Sequence, residues 1–244
     1  MYSFSRVGSY EQCPYLYYLK YVSDGVYPKA KNGYSEYGNL VHNLEEKYYN
    51  GDLKKEELVG EFVNRFYSEV VTPFHSDKTK ARCYNEGAEY FSQYTPFEGE
   101  IKGVEKRLSG KFADKEFRGI IDLIIEVDSE DGERKELNII DHKTGSINNT
   151  TKYQLYLYAE LIKQNYGRYP EKMIINSIKN QKRYEINFNA DELADAEIWA
   201  EEIIYDIETD GLFLPKPDWF YCHNICDARD MCQFKGGSYE YSVY

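Results

Sequence analysis

Asp122 stands in the middle of an otherwise apolar run, Gly119-Ile120-Ile121-Asp122-Leu123-Ile124-Ile125-Glu126-Val127. A lone carboxylate there is costly unless it is paired, protonated or bound to a cation. A second apolar stretch ends in Ile139-Ile140-Asp141-His142-Lys143. Residues two apart on a strand share a face, so Asp141 and Lys143 point the same way. If the two strands pair, both aspartates and the lysine meet at one edge of a sheet. Hard oxygen ligands on a half-open site suit Mg²⁺ or Mn²⁺. Such an ion acidifies a bound water and braces a phosphoryl group under attack, and a lysine beside it stabilises the developing charge. The plainer reading is a structural Asp141–Lys143 ion pair with Asp122 incidental at a strand end.

The elements that must position these residues follow from hydrophobic period and turn signals. Ser9, with Gln12 three positions on, reads as a capping box for a short helix that takes Pro14 into its first turn. Helices are predicted over Gly33–Tyr49 (Leu40, Leu44 and Tyr48 at helical spacing), over Glu56–Val71 and over Arg82–Gln93. Weak alternation in Ile101–Leu108 and a hairpin partner in Lys111–Arg118 precede the strong buried strand 119–127. The acidic turn Asp128–Glu136 leads into the strand Leu137–Asp141. A helix over Thr151–Gln164, strands over Lys172–Ile178 and Arg183–Phe188, and a long helix over Ala190–Thr209 complete the order. Helices, then strands, then a helix and more strands give an α/β or α+β class. Leu212–Tyr244 carries Pro215, Pro217 and three cysteines with little periodicity.

The chain has 244 residues, 26 of them tyrosine, and a net charge of −12. That acidity excludes a simple nucleic-acid-coating protein, which displaces counterions with a basic surface. Lys179, Lys182 and Arg183 form a candidate local basic groove or a solvated face. Tyrosine suits both packing and stacking on flat groups, with biased composition as the plain alternative. No apolar run reaches the roughly 20 residues of a membrane-spanning helix, and Met1–Val7 lacks a secretory pattern. A cytoplasmic protein of bacterial, archaeal or viral origin is expected, its five cysteines serving as metal ligands or buried thiols. Cys83, alone in a helix, is expected in the core.

Asp122 with Asp141-His142-Lys143 resembles the PD-(D/E)xK nuclease superfamily, in which a strand aspartate precedes a strand bearing an acid, one residue, then lysine. Ile139 to Gly145, and Gln154-Leu155-Tyr156-Leu157-Tyr158-Ala159 after it, resemble the RecB-like exonuclease branch, the latter its QxxxY element. Gly38-Asn39-Leu40-Val41-His42 resembles that branch's upstream histidine motif. The resemblance implies an α/β, restriction-endonuclease-like mixed central sheet flanked by helices. It also implies catalytic roles for Asp122, Asp141, Lys143, Gln154 and Tyr158, with Gln154 and Tyr158 supporting the site and contacting the substrate backbone. The implied metal ligands are His42, Asp122, Asp141 and the backbone carbonyl of His142; His42 would bind neutral, as much of it should be near pH 7. Glu105 precedes a strand and is either a further acidic contributor or, as the plainer reading, a surface residue.

Cys13, Cys222, Cys226 and Cys232 would hold a zinc ion or an iron–sulfur cluster, which spacing does not separate. Their one-plus-three layout is similar to the [4Fe-4S]-bearing members of the branch, among them the CRISPR-associated exonuclease and the AddB-type nuclease subunit. Ser3-Phe4-Ser5, Cys13-Pro14 and Phe213-Leu214-Pro215 share that likeness, although Cys222 and Cys226 enclose three residues where those relatives have two. His223 is a substitute ligand. Such a cluster would join the two chain ends. The organisation implied is one nuclease domain over 1–244: a helical part (1–95) with Cys13 and His42, a core (100–190) and a Cys-rich segment (211–244). The implied activity is exonuclease action on single-stranded DNA or DNA ends, alone or with protein partners in a DNA-processing complex. No GxxxxGK[ST] phosphate loop is present, so no motor is built in. A non-catalytic adaptor of a DNA-processing or CRISPR adaptation complex is the alternative, and a zinc-stapled RNA-binding module fits the acidity poorly.

Overall fold

A computed structural model of the protein describes residues 1–23, 30–112 and 114–234. The chain opens with β1 (Tyr2–Ser3) and two short helices, α1 (Phe4–Gln12) and α2 (Pro14–Tyr21). Ser3 caps α1, its Oγ accepting the Arg6 N–H at 3.2 Å. Ser9 lies inside that helix and donates to the Ser5 carbonyl, so the expected capping box with Gln12 does not form. Pro14 does take the first turn of α2, where its missing N–H costs little.

Three helices follow: α3 (Gly33–Tyr49), α4 (Lys55–Glu69) and α5 (Asp77–Ser92). Side-chain caps set where they begin. Asn32 Oδ1 accepts the Ser35 N–H at 2.8 Å, and Ser76 Oγ accepts the Thr79 N–H at 3.2 Å. The second cap starts α5 at Asp77 rather than the expected Arg82. Leu40, Leu44, Phe62, Phe66 and Phe91 join these helices in one apolar cluster, which contains Cys83 as a buried thiol.

The sheet is built from β2 (Glu100–Phe112), β3 (Lys115–Asp128), β4 (Lys135–Lys143), β5 (Lys172–Ser177) and β6 (Lys182–Asn187), together with β1. Helix α6 (Asn149–Tyr166) links β4 to β5 as a parallel crossover. Long strand β3 is the spine. Antiparallel β2 runs along one edge; the other takes β1 at Phe117–Arg118 and antiparallel β4 from Leu123 to Asp128. The expected strand and hairpin partner before residue 119 are thus one continuous β2 and the start of β3.

Helices α6 and α7 (Ala190–Thr209) cover one face of the sheet, where Ile121, Ile124, Ile139 and Ile175 meet Leu155, Ile162 and Ala196. Leu123, Ile125, Ile140 and Ile174 form a second cluster with Phe97 and, from α3, Tyr49. Ile121 and Leu123 are two apart yet belong to different clusters, so the alternation of β3 slips at Asp122. Strand β2 is irregular beside it: the register shifts between Ile101 and Gly103, and Glu105 adopts φ +44°. Such bulges turn a side chain out of its row.

The two chain ends meet. Ala30 N donates to the Asp227 carbonyl at 2.7 Å, Asn32 Nδ2 donates to the Ile225 carbonyl at 3.0 Å, and Lys20 pairs with Asp227. Short helix α8 (Trp219–Asn224) lies in this seam, and residues 235–244 of the expected Cys-rich segment fall outside the described residues. Lys179, Lys182 and Arg183, a candidate basic groove or solvated face, lie in the β5–β6 turn and at the start of β6. Lys179 Nζ donates to Ser146, and the Arg183 guanidinium lies 3.7 Å over the Phe97 ring and donates to the Thr95 carbonyl. Among the described residues no helix is long and apolar enough to cross a membrane.

Candidate active site

Regular pairing of β3 with β4 stops at Leu123 opposite Ile140. One step on, Asp122 Oδ2 accepts the His142 backbone N–H at 2.6 Å. The first aspartate is therefore held by the strand that carries the second. Asp141 is 2% exposed, with Oδ2 2.7 Å from Lys143 Nζ. That approach is an ion pair outside hydrogen-bond angles, which leaves Oδ2 without a hydrogen bond. Lys143 Nζ donates to Gln154 Oε1 at 2.8 Å, and Gln154 Nε2 donates to Tyr158 Oη at 2.8 Å. Four residues apart, Gln154 and Tyr158 share one face of α6. Their row fixes the lysine from behind.

Helix α3 delivers His42, whose Nδ1 lies 3.6 Å from Asp122 Oδ2 and 3.5 Å from Glu105 Oε1. His42, Glu105 and Asp122 each offer a ligand atom within 4.8 Å of the others. Glu105, read as a surface residue or a further acidic contributor, is thus part of the site; its left-handed backbone, just beyond the β2 register shift at Ile101–Gly103, accompanies that placement. Asp141 stands outside this triple and faces Lys143. The His142 side chain points away, 2% exposed, with Nδ1 accepting from Asn176 Nδ2 at 2.9 Å. Only its backbone borders Asp122.

Charge is finely opposed here. Burial works against a charged His42, but Asp122 and Glu105 outweigh it and push its pKa up to about 10. The expectation of a largely neutral imidazole near pH 7 is therefore corrected for the metal-free chain. Burial also opposes ionisation of Asp122, yet His42 and the His142 N–H hold its carboxyl below the ordinary range. Asp141 goes the other way: burial raises it, Lys143 opposes, and the Asp122 charge adds to the rise. Burial and then the Asp141 charge keep the Tyr158 hydroxyl protonated. One imidazole, two partly open carboxylates and a buried carboxylate oxygen without a hydrogen bond suit a hard divalent cation. A proton holds His42 until one arrives.

Mn²⁺ affinity is accordingly expected to rise about tenfold per pH unit from neutrality toward pH 10, because binding expels that proton. For stability the sign is opposite. His42 is raised from 6.5, so its contribution to the metal-free fold is complete below pH 6.5 and fades as pH climbs through about 10. Calorimetric titration in buffers of different ionisation enthalpy counts the released proton, which His42→Ala should remove. A pH-independent affinity would rule His42 out as a ligand.

Gly119 lets Tyr158 lie against β3. A Cβ there would sit 2.8 Å from Tyr158 Cε1 and 2.9 Å from Leu161 Cδ1. Gly119→Ala is expected to cost about 1–3 kcal/mol through overpacking. By moving the Tyr158–Gln154–Lys143 row it should slow turnover by on the order of tenfold to a hundredfold. Melting temperature and kcat measured together check this, and wild-type values of both would remove the packing argument.

Cys13, Cys222, Cys226 and Cys232 gather at the seam of the chain ends. Cys13 packs with Leu16, Leu19 and Cys226. Cys13, Cys222 and Cys226 all act on the buried Tyr221 hydroxyl, and Cys232 acts on Tyr15 and Cys226. Among the described residues, no three of these sulfurs lie within 4.8 Å of one another, the reach of a single ion. His223 Nδ1 lies 2.7 Å from the Trp219 carbonyl of its own helix, and its ring stacks on Trp219. Tyr17 is buried against Tyr10 and Phe213, while Tyr15 packs edge-on against Phe234. These tyrosines serve as packing around the seam.

A sequence model of the PD-(D/E)XK nuclease superfamily matches residues 1–233. No curated protein matches the chain. Among solved structures the chain is similar to a candidate exonuclease from Eubacterium rectale, with a TM-score of 0.53 at 14% identity, covering 99% of this chain and 90% of that one. At that identity the likeness is one of fold: a mixed α/β sheet of the restriction-endonuclease kind. A structure called SSO0001 aligns at 18% identity over 81% of this chain and 96% of that one, with a TM-score of 0.35.

Proposed function

The chain belongs to the PD-(D/E)XK nuclease superfamily, and from that premise we propose that it is a metal-dependent exonuclease that hydrolyses DNA phosphodiesters on single strands or at ends. The observation that carries this reading is the convergence of Asp122, Asp141 and Lys143 with His42 and Glu105 where the β3–β4 pairing ends. His42, Asp122, Asp141 and the His142 carbonyl, with Glu105 added, would hold Mg²⁺ or Mn²⁺. When bound, such an ion supplies positive charge to the phosphoryl oxygens and makes a water more acidic. Lys143, clamped between Asp141 and Gln154, would place its ammonium to orient an attacking water and to meet charge developing on the phosphate. Gln154 keeps the ammonium in place, and the protonated Tyr158 hydroxyl has a hydrogen to donate to the substrate backbone. The His42 motif and the Gln154–Tyr158 pair support a place in the RecB-like branch.

Cys13, Cys222, Cys226 and Cys232 are assigned, in the same reading, to a [4Fe-4S] cluster that ties the chain ends, with zinc as the alternative. The gathering of the four thiols at one seam supports it. Its role would be structural, since ligands ordered only in the fold turn binding energy into folding energy. The domain reading is one nuclease unit over 1–244, with parts 1–95, 100–190 and 211–244 as expected from the sequence. Incubation with end-labelled single- and double-stranded DNA and with RNA, in Mg²⁺ or Mn²⁺, tests the activity. Progressive shortening of single-stranded DNA is expected. No cleavage of any substrate with either metal would leave the adaptor reading in its place.

A further inference from the structure

Two cavities flank the candidate site, and they share a border. One, of about 500 Å³, is lined by His42 and Glu105 on α3 and β2 and also by Arg107 and Ile120. The other, of about 510 Å³, has Arg107 and Ile120 on its wall again, together with Arg118, Gln154 and Tyr158. A groove therefore leads from the ligand triple past Arg107 to Arg118. Its second half has no Asp or Glu in its lining, although the chain carries a net charge of −12. Ser3 and Ser5 add hydroxyls at the far end, and Phe4 adds a flat apolar wall.

The sheet explains the alignment. Arg118 and Ile120 stand at alternate positions of β3, which puts them in one row leading toward Asp122. Arg107 pairs with Ile120 and Ser109 with Arg118 across the β2–β3 ladder. At about 3.3 Å per residue, Arg107 stands about 7 Å along β2 from Glu105, and Arg118 about 13 Å along β3 from Asp122. Steps of that size match successive phosphates of an extended strand. Both arginines are exposed, and neither guanidinium makes an ion pair or hydrogen bond with another described residue. Exposed arginines elsewhere, such as Arg82 and Arg134, pair with carboxylates. Unpaired guanidiniums in an acid-free cavity suit a phosphodiester, which their planar donors meet in a forked geometry.

We propose that Arg107 and Arg118 hold two consecutive phosphodiesters of a single DNA strand on one side of the cleaved bond, with a nucleoside lying between Phe4 and Ile120. A concave cavity of this size admits one strand and not a duplex. The proposal rests on the nuclease reading for its substrate, but its test is binding. Fluorescence anisotropy with a labelled single-stranded oligonucleotide, in Ca²⁺ to suppress hydrolysis, should show Arg107→Ala/Arg118→Ala binding about tenfold more weakly at low salt. Two lost contacts should also flatten the dependence of log affinity on log salt by about 1.4, from about 0.7 per single-strand phosphate. Single neutral methylphosphonates, placed in turn along the strand, should weaken wild-type binding at two adjacent positions and leave the double variant unaffected there.

Unchanged affinity and salt slope in a double variant that melts like wild type would overturn the groove. So would an equal or larger loss for a duplex hairpin of matched charge. If the double variant fails to fold, each single variant should lose about half the slope change, and no change in either has the same adverse meaning. Wild-type protein that binds with this slope but cuts nothing keeps the groove and removes the nuclease reading. Cutting with no effect of the arginines does the reverse.

Discussion

Lys143→Ala is expected to abolish Mn²⁺-dependent DNA hydrolysis, by roughly 10²- to 10³-fold or more, while the protein keeps its fold. The ammonium is the positive side chain paired with Asp141, 2.7 Å away, and Gln154 holds it from the other side. Burial already raises the Asp141 pKa, and Lys143 is the main group opposing that rise. Without the lysine, Asp141 is pushed further toward its neutral form, which limits the cost of stranding a buried charge. The catalytic loss should therefore far exceed the loss of stability. Asp141→Asn makes the complementary case. It keeps shape but removes the negative charge, and it should be equally inactive with weaker Mn²⁺ binding. Circular dichroism and melting temperature confirm the fold of each variant, and full activity in either would end the active-site assignment.

The parts of this site legible in the sequence are those where period and composition conflict. A carboxylate in a β-branched apolar run, as at Asp122, announces itself because burial has to be compensated. The limits of α3 and α7 were legible for a local reason: Asn32 and Asn189 cap them, and caps act within three residues. The start of α1 was misplaced because Ser3 and Ser9 are both good caps, and only the β1 pairing of Tyr2 and Ser3 decides between them. Glu105 was hidden by a backbone event. On a regular edge strand it belongs to a solvated row, and the bulge that brings it to His42 depends on the register of β2 against β3. The groove residues were invisible for a similar reason, since which exposed arginine lacks a carboxylate partner is a property of the tertiary surface. The cluster implied by the cysteine layout would tie the chain ends, and one backbone bond, from the Ala30 N–H to the Asp227 carbonyl, joins them.

Glu45 is the residue the sequence concealed most completely. In Leu44-Glu45-Glu46 it reads as half of a solvated acidic pair, yet Glu45 is 2% exposed. It accepts hydroxyl hydrogens from Tyr90 and, at 2.5 Å, from Tyr94. Burial and then the Glu45 charge drive both tyrosine pKa values up, so each stays a donor. Asn176 Nδ2 donates to Tyr90 Oη at 2.6 Å and to His142 Nδ1, and the His142 ring meets the His42 ring edge-on at 6.0 Å. The carboxylate thus anchors a polar chain that ends behind the site, three residues along α3 from His42 itself. Glu45→Ala should leave two buried hydroxyls without acceptors and cost about 2–5 kcal/mol. In a chain of this length that lowers the melting temperature by roughly 5–15 °C, with weaker Mn²⁺ binding as His42 loosens. Unmade hydrogen bonds, rather than lost volume, are the cause in this account. Glu45→Leu/Tyr90→Phe/Tyr94→Phe removes the two hydroxyl donors together with their acceptor and leaves only one Asn176 N–H without its Tyr90 partner, so it should recover part of the stability that Glu45→Leu alone loses. A triple variant that melts below the single one would show that packing around Glu45, not hydrogen bonding to it, supports the back of the site.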